Sequence, residues 1–209
     1  ASFTASTGSW VVTAYSAFSA GAINTTGESI CDGGDPANIT SSSAASGGDA
    51  SITYQWKKGS SVLSSSNSAA FNPSIAQGAG TYTREAKDGT CASFTASTGS
   101  WVVTAYSAFS AGTISSAGEA ICDGGSAATI SSTANASGGD GSITYTWHKD
   151  AGSAIGGATS ATYTPTSAGT FTRKAVDGTC ASATTSSGSY VLTVNPNPTV
   201  NTGSGLSAI

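Results

Sequence analysis

The chain has 209 residues, of which only 9% are charged, with a net charge of −4 and a pI near 4.6. Seven Lys and Arg against eleven Asp and Glu leave no cationic face to bind phosphates or anionic lipids, so we expect no nucleic-acid partner. No apolar run approaches the roughly 18 residues that cross a bilayer, so we expect no membrane insertion. Because neither Met nor a signal segment begins the chain, we expect it to be processed or excerpted from a longer protein.

The opening segment, ASFTASTGSWVVTAYSAFSAG at 1–21, recurs without a change at 92–112. The same shift of 91 positions aligns GESICDGG with GEAICDGG and SGGDASITYQWKK with SGGDGSITYTWHK. The alignment then changes its offset by two residues, after which GTYTREAKDGTCAS matches GTFTRKAVDGTCAS. GSYVLTV is a third copy of the segment GSWVVTA. A period of about 90 residues is the size of one small domain. Two copies this similar indicate a tandem array expanded by duplication, which serves length or valency better than catalysis.

This alignment predicts four segments. Residues 1–18 are the last strand and linker of a preceding repeat, 19–107 and 108–195 are two whole repeats, and 196–209 are a linker and the first strand of a following repeat.

Each repeat is predicted to contain about seven short strands. In repeat 1 they are, in order, one before the first Cys, then ANITSSSA, SITYQWKK, SSVLSS, AAFNPS, GTYTREA and GSWVVTA. Apolar residues alternate in SITYQWKK, and Tyr82 and Ala86 share one face of TYTREA, which is the period of a half-buried strand. Glycine- and serine-rich breaks separate these runs, so we predict an all-β fold of tandem sandwich modules.

Aromatic residues on the inward faces are predicted to form the core of each module. They are Trp56, Trp147, Tyr54, Tyr145, Tyr82 and Phe171. For Trp10 and Trp101, packing in the core or between modules is favoured over a platform that stacks on sugars.

The four cysteines, Cys31, Cys91, Cys122 and Cys180, favour disulfides and an extracellular location. No CxxC occurs, and His148 is the single histidine, so structural zinc is disfavoured. Four cysteines allow three connectivities. We predict that Cys31 pairs with Cys91 and Cys122 with Cys180, which gives one disulfide per module and bonds all four cysteines. The alternative, Cys91 with Cys122, leaves Cys31 and Cys180 to bond each other or partners outside the chain.

The run ICDGG, SITYTW, TFTRKAVDGTC and GSYVLTVNPNPTV resembles the Ig-like tandem repeats of giant surface adhesins of the Bacteroidota, of which gliding-motility adhesins are one type. The resemblance covers the whole chain, twice over. It implies an extracellular thread, exported by type 9 secretion and anchored at the outer membrane through parts outside this chain. The implied partners are neighbouring repeats and, through a distant tip, an external surface or polysaccharide.

The segments AYSAFSAG and NPNP are expected to form the joints between modules. Their candidate residues are Tyr15, Phe18, Tyr106, Phe109, Pro196 and Pro198. Calcium is a weaker expectation, since Asp-Gly pairs are also ordinary turn chemistry. Its candidate ligands are Asp32, Asp88, Asp123 and Asp177. We expect no other cofactor.

The sequence contains no residues that indicate catalysis. A serine nucleophile needs a base, and the single histidine, His148, is replaced by Lys57 in the other copy. We therefore expect a non-enzymatic stalk segment of a long adhesin, which mediates surface adhesion and gliding motility. The alternatives are a pair of carbohydrate-binding modules, which would expose an aromatic strip, and a subunit of a homopolymeric extracellular fibre.

Overall fold

A computed structural model describes residues 1–64, 66–90 and 93–199. The chain forms two compact units, Ala1–Ala105 and Tyr106–Ile209. Every regular element within the described ranges is a β-strand. Over the same ranges there is no helix long and apolar enough to cross a membrane.

The described residues of unit 1 form ten strands. They are β1 (Ser16–Ser19), β2 (Ala22–Ile23), β3 (Glu28–Ile30), β4 (Ser41–Ser43), β5 (Ser46–Gly48), β6 (Thr53–Lys58), β7 (Ser61–Val62), β8 (Gly80–Lys87), β9 (Thr95–Ala96) and β10 (Trp101–Ala105). The main sheet has the order β3-β10-β8-β6-β7, with β9 also paired to β8. β1 pairs with β5, and β2 pairs with β4, opposite this sheet. The first strand of the main sheet, β3, runs parallel to the last, β10.

Unit 2 repeats this plan with nine strands. They are β11 (Ser107–Ser110), β12 (Thr113–Ile114), β13 (Glu119–Cys122), β14 (Ser132–Ala134), β15 (Ser137–Gly139), β16 (Ile143–Lys149), β17 (Gly169–Asp177), β18 (Ala181–Thr185) and β19 (Tyr190–Asn195). Its main sheet is β13-β19-β17-β16, with β18 paired to β17, and β13 is again parallel to β19.

Each unit has its own apolar core between its two layers. In unit 1 the buried cluster is Ile23, Ile39, Trp56, Tyr82 and Val103, contributed by both layers. In unit 2 it is Ile114, Ile130, Trp147, Phe171, Tyr190 and Leu192. The predicted core residues therefore lie where alternation put them, with Tyr54 and Tyr145 packed on smaller alanine clusters.

Two features of unit 1 define an immunoglobulin-like sandwich. The order β6-β8-β10 matches strands C, F and G of that fold, and Trp56 is the buried tryptophan of strand C. Tyr82, near the start of β8, donates its hydroxyl to the carbonyl of Gly78 at 2.6 Å, which is the tyrosine corner of strand F. In unit 2 the equivalent residue is Phe171, which keeps the buried ring without the hydroxyl.

Some predicted elements differ from the structure. The strand expected at AAFNPS is only an isolated bridge between Ile39 and Phe71. Phe18 and Phe109, predicted in joints, lie in β1 and β11 and pack on the alanine clusters of their own units. The reason is long-range pairing: SAFS joins SGG of β5 or β15, a partner that a short polar segment does not reveal.

The predicted pairing of Cys122 with Cys180 is wrong. Cys122 is a free, exposed thiol, whereas Cys180 is disulfide-bonded, as is Cys31. Cys122 lies opposite Asn195, beyond the Gly169 end of β17, and Cys180 follows the Asp177 end. The strand between them, Gly169–Asp177, is about 26 Å long at ~3.3 Å per residue, whereas disulfides need Cα atoms within about 7 Å. The other predicted pair involves Cys91, which lies outside the described residues.

Candidate functional site: the central strand and the two ends of each repeat

The inward face of the central strand carries a charged residue between apolar ones. Along β8 the buried positions are Tyr82, Arg84 and Ala86, and Asp88 continues the same alternation just beyond the strand. Tyr82 and Ala86 were predicted to share one face, whereas Arg84 was not assigned to it. The period of two already put Arg84 there, since position 84 lies between the two apolar ones.

Arg84 is fully buried, and its hydrogen-bond partners within the described part of the chain include no carboxylate. Its Nε donates to Ser97 Oγ at 2.9 Å, and its Nη1 donates to the carbonyl of Ala69 at 2.8 Å and to Ser41 Oγ. Its Nη2 donates to carbonyls of the opposite layer, at 3.2 Å for Ala20 and 3.4 Å for Ser43. Burial lowers the pKa of the Arg84 guanidinium, yet arginine stays charged because its ordinary pKa is so high.

Arg84 occupies the place of a cysteine. In antibody domains the tyrosine of the corner lies two residues before the strand-F cysteine of the inter-sheet disulfide, and Arg84 lies two residues after Tyr82. The guanidinium joins β8 by hydrogen bonds to β2, to β4 and to Ala20, which follows β1, and it stacks over Tyr54 at 5.0 Å. Arg173 repeats these contacts in unit 2, with Ser186, Ala161 and Ala111. A hydrogen-bonded cation therefore links the two layers where antibody domains use a covalent bond.

A buried aspartate organises the hairpin after the central strand. Asp177, 1% exposed, accepts hydrogen bonds from the backbone N–H of Gly141 at 3.2 Å, Thr179 at 3.2 Å and Cys180 at 2.6 Å. Asp140 accepts from the Thr179 hydroxyl in the same turn, which lowers the pKa of Asp140. Ser107, the first residue of β11, pairs with Gly139 beside this hairpin. We call this end of a repeat, at which its first strand begins, the leading end.

Glycines let the backbone pass close to these aspartates, and Gly139→Ala is expected to destabilise unit 2 by about 2–5 kcal/mol. Gly139 has φ +62°, and an added Cβ would lie 2.3 Å from Cγ of Asp177, which its hydrogen bonds hold in place. The left-handed backbone alone costs about 1–2 kcal/mol for alanine, and the clash adds about 1–3 kcal/mol. Urea unfolding of unit 2 measures the loss. Gly124→Ala is the control, since Gly124 has φ +81° with nothing within 4 Å. Equal losses in the two variants would contradict the clash.

An ion pair on the outer face of unit 1 gives a small acid dependence. Lys57 donates to Glu85, which lowers the pKa of Glu85 below its ordinary value of 4.5. The contribution is therefore complete above pH 4.5 and is lost as the pH falls through the lower folded-state value. For a surface pair it is below about 1 kcal/mol. The free energy of unfolding of unit 1, measured by denaturation at pH 7 and pH 3, should fall less between these pH values in Glu85→Gln than in the original chain. Unit 2 is an internal comparison, because it has His148 and Lys174 at these positions.

The opposite end of unit 2 holds the free thiol beside a cavity. This trailing end is where the last strand, β19, finishes. The cavity, of about 610 Å³, is lined by apolar residues of β13 and β19 and by two loops, 123–127 and 164–168. The loop after Cys122 is ordered by backbone bonds, from Gly125 N to the Cys122 carbonyl and from Asp123 N to the Asn195 carbonyl, both at 2.8 Å.

The calcium candidates lie at opposite ends of their repeats. Asp88 and Asp177 bind backbone N–H groups in the hairpins at the leading ends, whereas Asp32 and Asp123 lie in turns after β3 and β13 at the trailing ends. Among the described residues there is no group of three or more His, Cys, Asp or Glu positioned to hold a metal ion.

Exposed aromatic side chains occur, within the described part of the chain, only before β1. They are Phe3, Trp10 and Tyr15. Trp101, the copy of Trp10, lies in β10, packs against the core of unit 1 and approaches Glu28 Oε1 at 3.3 Å. The strip of exposed aromatic residues expected of a carbohydrate-binding pair is not seen on either repeat within the described residues. Pro196 and Pro198 are exposed and follow β19.

No protein-family profile matches the chain, and no curated protein matches it. Solved structures similar to it include tandems of immunoglobulin domains. Sidekick-1 immunoglobulin domains 1–5 match 85% of this chain at 14% identity and a TM-score of 0.42, and titin domains I67–I69 match 84% at 14% identity and 0.45. The N-terminal four Ig domains of Dscam1 match 82% at 15% identity and 0.37. The chain spans 38%, 64% and 44% of the lengths of these three structures.

Proposed function

We propose that the chain is a non-enzymatic, load-bearing stalk segment of a long extracellular adhesin built from Ig-like repeats. The single observation that carries this proposal is the parallel pairing of the first and last strands of the main sheet in both units. β3 pairs with β10, and β13 pairs with β19.

Parallel terminal strands resist stretching. A chain pulled at both ends draws β3 toward the leading end and β10 toward the trailing end, so the two neighbours slide along one another. Their hydrogen bonds, which run across the strands, are then loaded together rather than broken one after another. Both units share this arrangement, which suits an element whose function is to carry force.

Three further observations support the same function. The verbatim repetition of 1–21 at 92–112 fits an array selected for length. Each unit has its own core and its own buried arginine, so each can bear load independently. Oxidised cysteines fit an extracellular location.

The resemblance to giant Bacteroidota adhesins gives the finer proposal. The stalk is exported by type 9 secretion, is anchored at the outer membrane through another part of the protein, and presents a tip to an external surface or polysaccharide. Gliding motility is the process in which we place it, and calcium at the aspartate turns is a lesser proposal.

Stretching single molecules under reducing conditions tests the load-bearing function. We expect two unfolding events, each releasing about 300 Å for about 90 residues at ~3.3–3.6 Å per residue. Ile121→Pro removes a backbone N–H of β13 that faces β19, because Asp123, two residues further along, donates to the carbonyl of Asn195, and it is expected to lower the unfolding force of one event only. Ile30→Pro in β3, at the same register position of unit 1, is the matched variant for the other event. Unfolding forces that neither variant lowers would contradict the shear of the terminal strands.

Electron microscopy of the native full-length protein tests the adhesin proposal. A thin thread beaded every roughly 40 Å, the length of short strands with their loops, is expected. A compact particle of a few domains would contradict it, and binding on glycan arrays would then favour the carbohydrate-binding alternative. Extensive lateral contacts between threads would favour the homopolymeric fibre.

A further inference from the structure

Unit 2 contains three Asp-Gly dipeptides, which begin at Asp123, Asp140 and Asp177. In such a dipeptide the backbone nitrogen of the glycine can attack Cγ of the aspartate, because the glycine has no Cβ to obstruct the approach. The reaction needs a carboxyl group that can swing toward that nitrogen and an N–H that is not donated elsewhere. The three dipeptides have the same two residues but differ in both respects.

Asp177 is restrained against this reaction. It is buried, and its carboxylate accepts hydrogen bonds from three backbone N–H groups. The nitrogen that would attack, that of Gly178, donates to the carbonyl of Ser142 at 3.1 Å. Attack at Asp177 would therefore break hydrogen bonds of both reacting groups.

Asp140 is restrained in the same way, although it is only partly buried. Its carboxylate accepts hydrogen bonds from the Thr179 hydroxyl and from the backbone N–H of Ser142, the second at 2.7 Å. The nitrogen of Gly141 donates to Asp177 at 3.2 Å. The bond from Thr179 also lowers the pKa of Asp140, so less of the neutral carboxylic acid, which is the reactive form, is present.

Asp123 has none of these restraints. Within the described residues its carboxylate accepts no hydrogen bond, and the N–H of Gly124 donates none. Both residues are exposed, and nothing lies within 4 Å of the position of a Cβ on Gly124. The turn is closed from outside the dipeptide, by the N–H of Gly125 and the Cys122 carbonyl at 2.8 Å. Asn197 donates its side-chain amide to the Asp123 carbonyl at 3.1 Å, which polarises the peptide bond to Gly124 and makes its N–H more acidic.

We propose that Asp123 is a site of spontaneous covalent modification, at which aspartate isomerises to isoaspartate. The Gly124 nitrogen forms a bond to Cγ of Asp123, and its proton leaves with a carboxyl hydroxyl as water. The cyclic imide then takes up one water at either of its two carbonyl carbons. Opening at the main-chain carbonyl carbon leaves a backbone that runs through Cβ and Cγ, whereas opening at Cγ restores aspartate. The step needs no oxidant, reductant or enzyme.

The product would change the trailing end of unit 2. It adds one methylene to the backbone between Cys122 and Gly124, directly after the Asp123 N–H that donates to the Asn195 carbonyl at 2.8 Å. That hydrogen bond continues the parallel pairing of β13 with β19 beyond the end of β13. Isomerisation would therefore loosen the end of this pair as the protein ages.

Incubation of the folded chain in heavy-oxygen water tests the proposal. The chain is kept at neutral pH and physiological temperature with EDTA, and is then cleaved and sequenced by electron-transfer mass spectrometry, which distinguishes isoaspartate from aspartate. We expect isoaspartate that carries heavy oxygen at Asp123. The rates at Asp140 and Asp177 should be lower by about tenfold or more, because hydrogen bonds must break there first. Equal rates at the three dipeptides, or no isoaspartate at Asp123, would overturn the proposal.

Unfolding the chain separates the effect of the fold from that of the local sequence. In concentrated urea with a reductant, the three dipeptides should isomerise at similar rates. If Asp123 kept its full lead in urea, its neighbours in sequence rather than its turn would set the rate, and the assignment to the turn would be wrong.

Asp123→Glu is the matched variant. It keeps the charge, but the longer side chain would have to close a larger ring, which forms far more slowly. After incubation of the folded variant, labelling by protein isoaspartyl methyltransferase should fall to near background. Labelling as strong as that of the original chain would place the modification elsewhere and refute the site.

Discussion

Replacing Trp56 by alanine is expected to lower the free energy of unfolding of unit 1 by about 3–5 kcal/mol, the loss typical of a large aromatic removed from a packed core. Trp56 is 0% exposed, stacks on Phe71 at 5.6 Å between ring centroids, and donates its indole N–H to the Ser68 carbonyl at 2.8 Å. Alanine would leave a cavity and an unpaired carbonyl. Urea unfolding of unit 1, followed by hydrogen exchange of its backbone amides so that no tryptophan is needed as a reporter, measures the loss.

Trp10→Ala is the matched control. Trp10 is 91% exposed, so its replacement should change the stability of unit 1 by less than about 0.5 kcal/mol. Trp101→Ala should fall between the two, since Trp101 is partly buried in β10 within the same local sequence. If Trp10→Ala and Trp56→Ala lowered the free energy of unfolding of unit 1 equally, the assignment of the core would be wrong.

Replacing Arg173 by methionine is expected to destabilise unit 2 by about 3–5 kcal/mol, because hydrogen bonds from a charged donor contribute about 1.5–3 kcal/mol each. Methionine has similar length but no donors. The change would leave the carbonyls of Ala111 and Ala161 without the bonds they receive at 3.2 and 2.8 Å. It would also remove the cation over the Tyr145 ring at 4.8 Å. Urea denaturation followed by Trp147, the tryptophan of unit 2, measures the loss.

The neighbouring residue supplies the control for this variant. Lys174 alternates to the outer face of β17, so Lys174→Met removes one charge from the same strand without touching the buried network. Lys174→Met should lower the free energy of unfolding of unit 2 by less than about 0.5 kcal/mol. Arg84→Met should reproduce the larger loss in unit 1, because Arg84 has the equivalent partners there. A loss of under 1 kcal/mol at both arginines would show that the cation does not hold the layers together.

Alternation and repetition predicted much of the fold. The period of two located β6 and β8, and it put Trp56 and Tyr82 in the core, because a half-buried strand must place alternate residues inward. The repeat then transferred the same assignments to Trp147 and Phe171. These features are local, so one sequence is enough to find them.

The features that sequence reasoning did not find depend on distant partners. β1 forms because SAFS pairs with SGG, and neither segment has a pattern of its own. Cysteine pairing depends on which end of a strand each residue occupies, which spacing along the chain does not give. The burial of Arg84 was not predicted, because charged residues are mostly exposed, although its place in the alternation indicates burial.

The identity of residues 10–14 and 101–105 has a consequence for folding kinetics. WVVTA forms β10 between β3 and β8, while the other copy is exposed, so a refolding chain holds two identical candidates for one position in the sheet. The correct copy has the advantage of closeness, since it follows β9 directly and closes a short loop. Capture of the wrong copy would produce a kinetic trap that resolves only by unpairing. In a long array every repeat faces such competitors, and the change from WVVTA to YVLTV in unit 2 reduces their number.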